Sequence, residues 1–254
     1  MKKLLTVLFT AILAITACMG LTACGESKGT LEDGKLIIGF TQYAPMNYYD
    51  DNGVLIGFDT DLAKAFCEEI GVEFKFVEIN WNNKFIELNS KNIDVIWNGM
   101  TITDEVKEKT AVSKSYLGNK QVVVCKAENA DKFTDIDSIK NATSVAFEKG
   151  SAGEQAVENI NVNKIEAEAQ KDTLLEVASG RSEIAVIDLI MARFLLGKGT
   201  SYSNLVYVDV GFELEDFGVA FRKTDDGLAK AFDLFIKMAK SNGLFDTLSD
   251  KYFG

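Results

Sequence analysis

Gly57-Phe58-Asp59-Thr60-Asp61-Leu62-Ala63-Lys64-Ala65-Phe66-Cys67-Glu68-Glu69-Ile70-Gly71, with Phe74-Lys75-Phe76-Val77 close behind, is the stretch on which the fold turns. Leu62, Phe66 and Ile70 fall four residues apart with Ala63 beside them. This spacing predicts a helix over 59–70 that buries one stripe and stops at Gly71. The run after it predicts a strand. Working outward, short apolar runs recur at Leu36-Ile37-Ile38, Val95-Ile96-Trp97, 121–125, 144–147, 184–187, 205–208 and 218–221. Helix-period segments at 85–88, 174–178 and 189–196 lie between them. Two amphipathic pieces, 228–239 and 244–252, follow, broken at Asn242-Gly243. Strands alternating with helices predict an α/β fold with largely parallel sheets.

The chain has 254 residues, 47% of them hydrophobic, enough for a real core in one large domain or two ordinary ones. It carries 27 Lys plus Arg against 38 Asp plus Glu, a formal charge of −11, with no basic cluster. Nucleic acid is therefore excluded as a partner. There is no His, which removes His-based triads and His-ligated metals. No metal or other cofactor is expected.

At the N-terminus, Lys2 and Lys3 precede an apolar run from Leu4 to Ala17, the pattern of a secretion leader over 1–23. Leu21-Thr22-Ala23-Cys24 matches a bacterial lipobox, so Cys24 is the expected lipidation site, with 24–34 a flexible tether. Ile15-Thr16-Ala17-Cys18 is a second match, inside the apolar run. Two or more acyl chains on one Cys hold a membrane stably. The body is thus expected on the extracytoplasmic face of the cell membrane. Of the other thiols, Cys67 sits on the predicted helix and Cys125 ends a predicted strand; buried free thiols are the expected state of both.

In open α/β sheets, ligands gather beyond the carboxyl ends of the strands, where helix N-termini offer free N–H groups. Applied here, that rule picks out the loop from Thr41 to Met46, the segment Asn98-Gly99-Met100-Thr101, the turn Glu148-Lys149-Gly150-Ser151-Ala152, and Asp188 directly after Ile187. The set offers aromatic faces, hydroxyls, amides and two carboxylates. It contains no nucleophile paired with a base and no Gly-rich phosphate loop, so it reads as a binding pocket.

These residues fall within blocks that resemble the family 3 extracellular solute-binding proteins, the polar amino-acid receptors of ABC importers. The blocks are Tyr43-Ala44-Pro45, the 57–65 stretch, Asp94-Val95-Ile96 running into Gly99-Met100-Thr101-Ile102-Thr103, Gly150-Ser151, Ser179-Gly180-Arg181, Phe217-Gly218-Val219-Ala220 and Lys251-Tyr252-Phe253-Gly254. The resemblance spans 36–254 and implies a two-lobe type II periplasmic-binding-protein-like fold. Residues 35–116 with 218–254 would form one lobe and 121–212 the other, hinged near 116–120 and 213–217. It further implies a monomer that closes on an amino acid or related small polar solute and delivers it to a membrane permease with a cytoplasmic ATPase. A chemosensory receptor, or a dehydratase or lyase on the same fold, is the alternative.

Residue by residue, the resemblance implies that Tyr43 stacks on the ligand, with Trp81 a second side-chain contact. The Gly99 carbonyl and Thr101 hydroxyl, next to Asn98, and Asp188 would receive its ammonium; the Thr101 N–H and those of Ser151 and Ala152 would face its carboxylate, and Glu148 would add acid. One position departs. Beyond Thr101-Ile102-Thr103 and two intervening residues the family places an Arg that forks onto the ligand carboxylate, and this chain has Val106. Either Lys149 or Lys120 compensates, or the ligand carries less negative charge. Tyr43, Trp81 and Trp97 with two acids would suit a cationic group.

Overall fold

Residues Phe58–Glu69 fold as helix α1, and Gly71 follows at φ +70° as the stop requires. The structure is a computed structural model and describes Thr30, Leu31 and residues 33–254; the leader and Cys24 lie outside the described residues. In chain order the elements are β1 (Lys35–Phe40), the small hairpin β2 (Tyr48–Tyr49) and β3 (Leu55–Ile56), α1, β4 (Glu73–Glu78), α2 (Lys84–Asn89), β5 (Val95–Thr101), α3 (Asp104–Lys109), β6 (Ala111–Val112) and β7 (Leu117–Lys126). There follow β8 (Val145–Glu148), α4 (Ala152–Val157), β9 (Lys164–Ala167), α5 (Gln170–Ser179), β10 (Ile184–Asp188), α6 (Leu189–Leu195), β11 (Leu205–Val208), β12 (Leu214–Phe221), α7 (Asp226–Ser241) and α8 (Leu244–Phe253).

The main sheet runs β4-β1-β5-β12-β7-β10-β8-β9, with β6 on β12 and β11 on β7. Each end is a parallel trio, β4-β1-β5 and β10-β8-β9. The centre corrects the expectation of largely parallel sheets. β12 is antiparallel to both β5 and β7, and β7 to β10, because β7 carries the chain out of the first trio and β12 carries it back. Residues Leu117 to Lys120 of β7 pair with Phe217 to Leu214 of β12, in the two segments that the sequence marks as crossovers.

Helix α1 buries Phe58, Leu62, Ala63, Phe66 and Cys67 against the sheet. Phe66 packs on Trp97 of β5 and on Phe232 and Phe235 of α7, with ring centroids 5.4–6.0 Å apart, and Trp97 meets Phe232 edge-on at 4.8 Å. The core therefore joins the start of the chain to its last two helices. Trp97 is fully buried in that cluster, so it is a core residue and does not face a ligand as expected from sequence. Cys67 and Cys125 are buried free thiols, and burial holds both at about 11. No described helix is long and apolar enough to cross a membrane.

Candidate ligand-binding cleft

The carboxyl ends of β1, β4, β5, β8 and β10 converge on one small cavity of about 20 Å³, room for roughly one water. Tyr43, Trp81, Asn98, Gly99, Thr101, Glu148, Ser151, Ala152 and Asp188 all line it, and Gln170 joins them. The nine ligand-binding residues picked from the sequence are thus brought together, while Trp97 is not among them. Across the cavity the two trios touch: Lys171 donates to Gln42 at 3.0 Å, Lys84 to the Gly150 carbonyl at 2.7 Å, Asn80 to Glu168, and Tyr48 meets Phe194 at 5.5 Å.

Asp188 stands at the N-cap of α6, yet its carboxylate makes no capping bond. It accepts from Gln170 at 2.7 Å, Gln121 at 2.9 Å and Asn119. Gln121 and Asn119 also donate to Glu215 at 3.0 and 3.3 Å, and Thr101 donates to the same oxygen at 3.0 Å. The acid of the cleft is therefore tied by amides directly to both crossover strands. Burial, with the Glu215 charge nearby, pushes Asp188 up to about 7 against those donors. Glu148 is buried and pushed up to about 8 by burial and then by Asp188, and its Oε1 has no partner. Asp59, beneath the floor, is raised to about 7 by burial although Tyr116 Oη (2.8 Å) and the Gly99 N–H (2.6 Å) donate to it.

Tyr43 is 4% exposed, lies edge-on to Phe217 at 6.4 Å, and has a hydroxyl without a partner. Gly99, at φ +56°, is required here: a Cβ would come within 2.7 Å of the Tyr43 ring. Residues 98–101 lie inside β5, which runs four positions further than the apolar run predicts, because a buried amide network sustains the ladder. Asn98 forms that network. Its Oδ1 accepts from the Thr41 N–H and hydroxyl, and its Nδ2 donates to the Thr41 carbonyl and to Asn47. Its side chain is fully spent on the fold, leaving its backbone to face the cavity.

Ser151 is also more structural than expected. Its hydroxyl caps α4 by accepting from the Glu154 N–H at 3.2 Å, and its own N–H donates to the Glu148 carbonyl. The expected compensation for Val106 is overturned. Lys149 pairs with Glu166 at 2.6 Å and Lys120 with Asp209 at 2.7 Å, both away from the cavity, because each has a carboxylate closer to hand. The sequence reading missed Gln170, Glu215, Asn119, Gln121 and Lys84. Gln170 was within reach of the strand-end rule, since it opens α5 three residues past β9, but Lys164-Ile165-Glu166-Ala167 has half its positions charged and does not read as a strand.

Residues 36–254 match the model of the bacterial extracellular solute-binding proteins, family 3. The chain belongs to this family. The arginine-binding extracellular protein ArtP of Bacillus subtilis (strain 168) is 30% identical over 255 residues, which cover 95% of this chain and 96% of that one. Among solved structures, an ancestral amino acid-binding protein, a precursor of cyclohexadienyl dehydratase, matches with a TM-score of 0.81 at 32% identity over 88% of this chain and 97% of its own. A substrate-binding protein of a Streptococcus pneumoniae ABC uptake transporter, solved with bound histidine, gives 0.80 at 31% over 89% and 94%. The type II periplasmic-binding-protein fold implied by the sequence blocks is therefore that of this family member, whose relatives are binding proteins.

Proposed function

We propose that this protein captures an amino acid with a polar, positively charged side chain in the cleft between the two trios and hands it to an ABC permease and its ATPase. The observation that carries this reading is the pair of buried acids Asp188 and Glu148, backed by half-buried Glu215, beside two aromatic residues, Tyr43 and Trp81. A desolvated cation gains from both kinds of group. The arginine-binding and histidine-bound relatives support the same charge class. Residues 35–116 with 218–254 and 121–212 act as the two lobes, and the paired segments near 116–120 and 213–217 act as the hinge. Tyr43, Trp81, Gly99, Thr101, Glu148, Ala152, Gln170 and Asp188 supply the contacts, with Asn98 contributing through its backbone and Ser151 through its hydroxyl proton. No residue in the set activates a nucleophile, which favours binding over catalysis. The lipobox at Cys24 supports anchoring of a monomeric body outside the cell membrane after removal of 1–23.

A thermal-unfolding panel of the standard amino acids tests this. L-arginine, L-lysine or L-histidine should raise the melting temperature, by mass action on the folded state. Asp188→Asn should weaken binding of the responding amino acid about tenfold or more, some 1.4 kcal/mol. Stabilisation by acidic or plain neutral amino acids alone would remove the cationic assignment; no response to any would remove amino-acid capture.

A further inference from the structure

Lys84 opens α2 at the rim of the cleft and is 5% exposed, a rare burial for a Lys. Its Nζ donates to the Gly150 carbonyl at 2.7 Å and the Trp81 carbonyl at 3.4 Å, and lies 5.0 and 4.9 Å from the ring centroids of Trp81 and Phe85. An ammonium has three donors, so one remains beyond these two carbonyls. Glu105, Glu148 and Glu154 act on it through space, but no described carboxylate forms an ion pair with it. Burial lowers it to about 8. A desolvated charge without a counter-charge is costly, and a ligand anion would relieve that cost.

The surroundings indicate which part of a ligand would do so. Lys84 lines a second cavity of about 20 Å³ with Thr103, Val106 and Gln155, and this cavity shares Trp81, Thr101 and Ala152 with the first. The acids Glu148 and Asp188 line only the first. Glu105 also lines the second cavity, but its carboxylate is paired with Lys109 at 2.6 Å, which leaves the unpaired Lys84 ammonium in one compartment and the two buried acids in the other, as a zwitterion requires. Val106 is 2% exposed and gives the second compartment an apolar wall.

We propose that Lys84 receives the ligand's carboxylate in the compartment walled by Val106, while Asp188 and Glu148 hold its positively charged groups. The assignment rests on the reading of the cleft as an amino-acid site and specifies that the ligand keeps its carboxylate. Lys84 sits about twenty residues before Val106 in sequence, so the cation reaches the site from a different element, α2 instead of α3.

Titration calorimetry on the full chain tests this with three matched pairs: L-arginine and agmatine, L-lysine and cadaverine, L-histidine and histamine. Wild type should bind the amino acid about thirtyfold or more tighter than its decarboxylated partner. Lys84→Gln should abolish that preference by weakening the amino acid alone, and Lys84→Arg should keep it. A latch role through the Gly150 carbonyl would instead weaken both members of a pair alike. Equal wild-type affinities within a pair, which need no variant to fold, would overturn the assignment, as would a preference that survives Lys84→Gln. If no amino acid binds wild type, the capture reading itself fails, a result separate from either of these.

Discussion

Asp188 and its neighbours set the pH response of the protein. Asp59, Glu148 and Asp188 titrate at about 7, 8 and 7 in the fold, against ordinary carboxylate values near 4 when unfolded. Between about pH 4 and 8 the folded state therefore binds more protons than the unfolded one, and the stability these groups contribute falls as pH rises through that window. Asp61 and Glu183, held low by their partners, act in the opposite sense but below the ordinary carboxylate range. Thermal unfolding of ligand-free protein should thus show a melting temperature that falls from about pH 5 to 8; a rise would contradict the burial argument. At this scale residue type and strand-end position carried most of the information. Asp188 and Tyr43 were legible because apolar runs precede them. Lys84 was not, since a Lys at the start of a short helix reads as solvated until Phe85, Trp81 and Gly150 are seen to enclose it.

Among the elements, α7 depends on how its apolar stripe meets α1 and β5. Phe232 is fully buried and touches Phe66, Trp97, Tyr116 and Phe235. Phe232→Ala should leave a cavity that the surrounding rings cannot fill, at a cost of about 3–5 kcal/mol. Denaturant unfolding would show this as a lower midpoint with an unchanged slope; a loss below about 1 kcal/mol would mean the cluster repacks. Helix α1 was legible from its spacing almost to the residue, because Leu62 and Phe66 face one core and Gly71 stops the turn. The antiparallel centre of the sheet was not. Local periodicity fixes that residues 121–125 form a strand, but not that β7 and β12 run oppositely between the trios, which depends on pairing across nearly a hundred residues.

For the whole molecule, the charge of −11 and the absence of His exclude nucleic-acid binding and much catalytic chemistry, and the same acidic excess reaches into the cleft. The cavity is near the size of one water, so on the proposed two-lobe reading an amino acid enters when the lobes part about the Leu117–Lys120 and Leu214–Phe217 pairing. Asn119, Gln121 and Glu215 link that pairing to Asp188, so on the same reading a cation held there would favour the closed arrangement. The most direct test is a calorimetric titration of the protein at pH 7 with L-arginine, L-lysine and L-histidine, in two buffers of different ionisation enthalpy. The account predicts saturable binding of at least one of them with protons released, as Asp188 and Glu148 ionise against the incoming charge. Absence of binding by all three, or binding with net proton uptake, would contradict it.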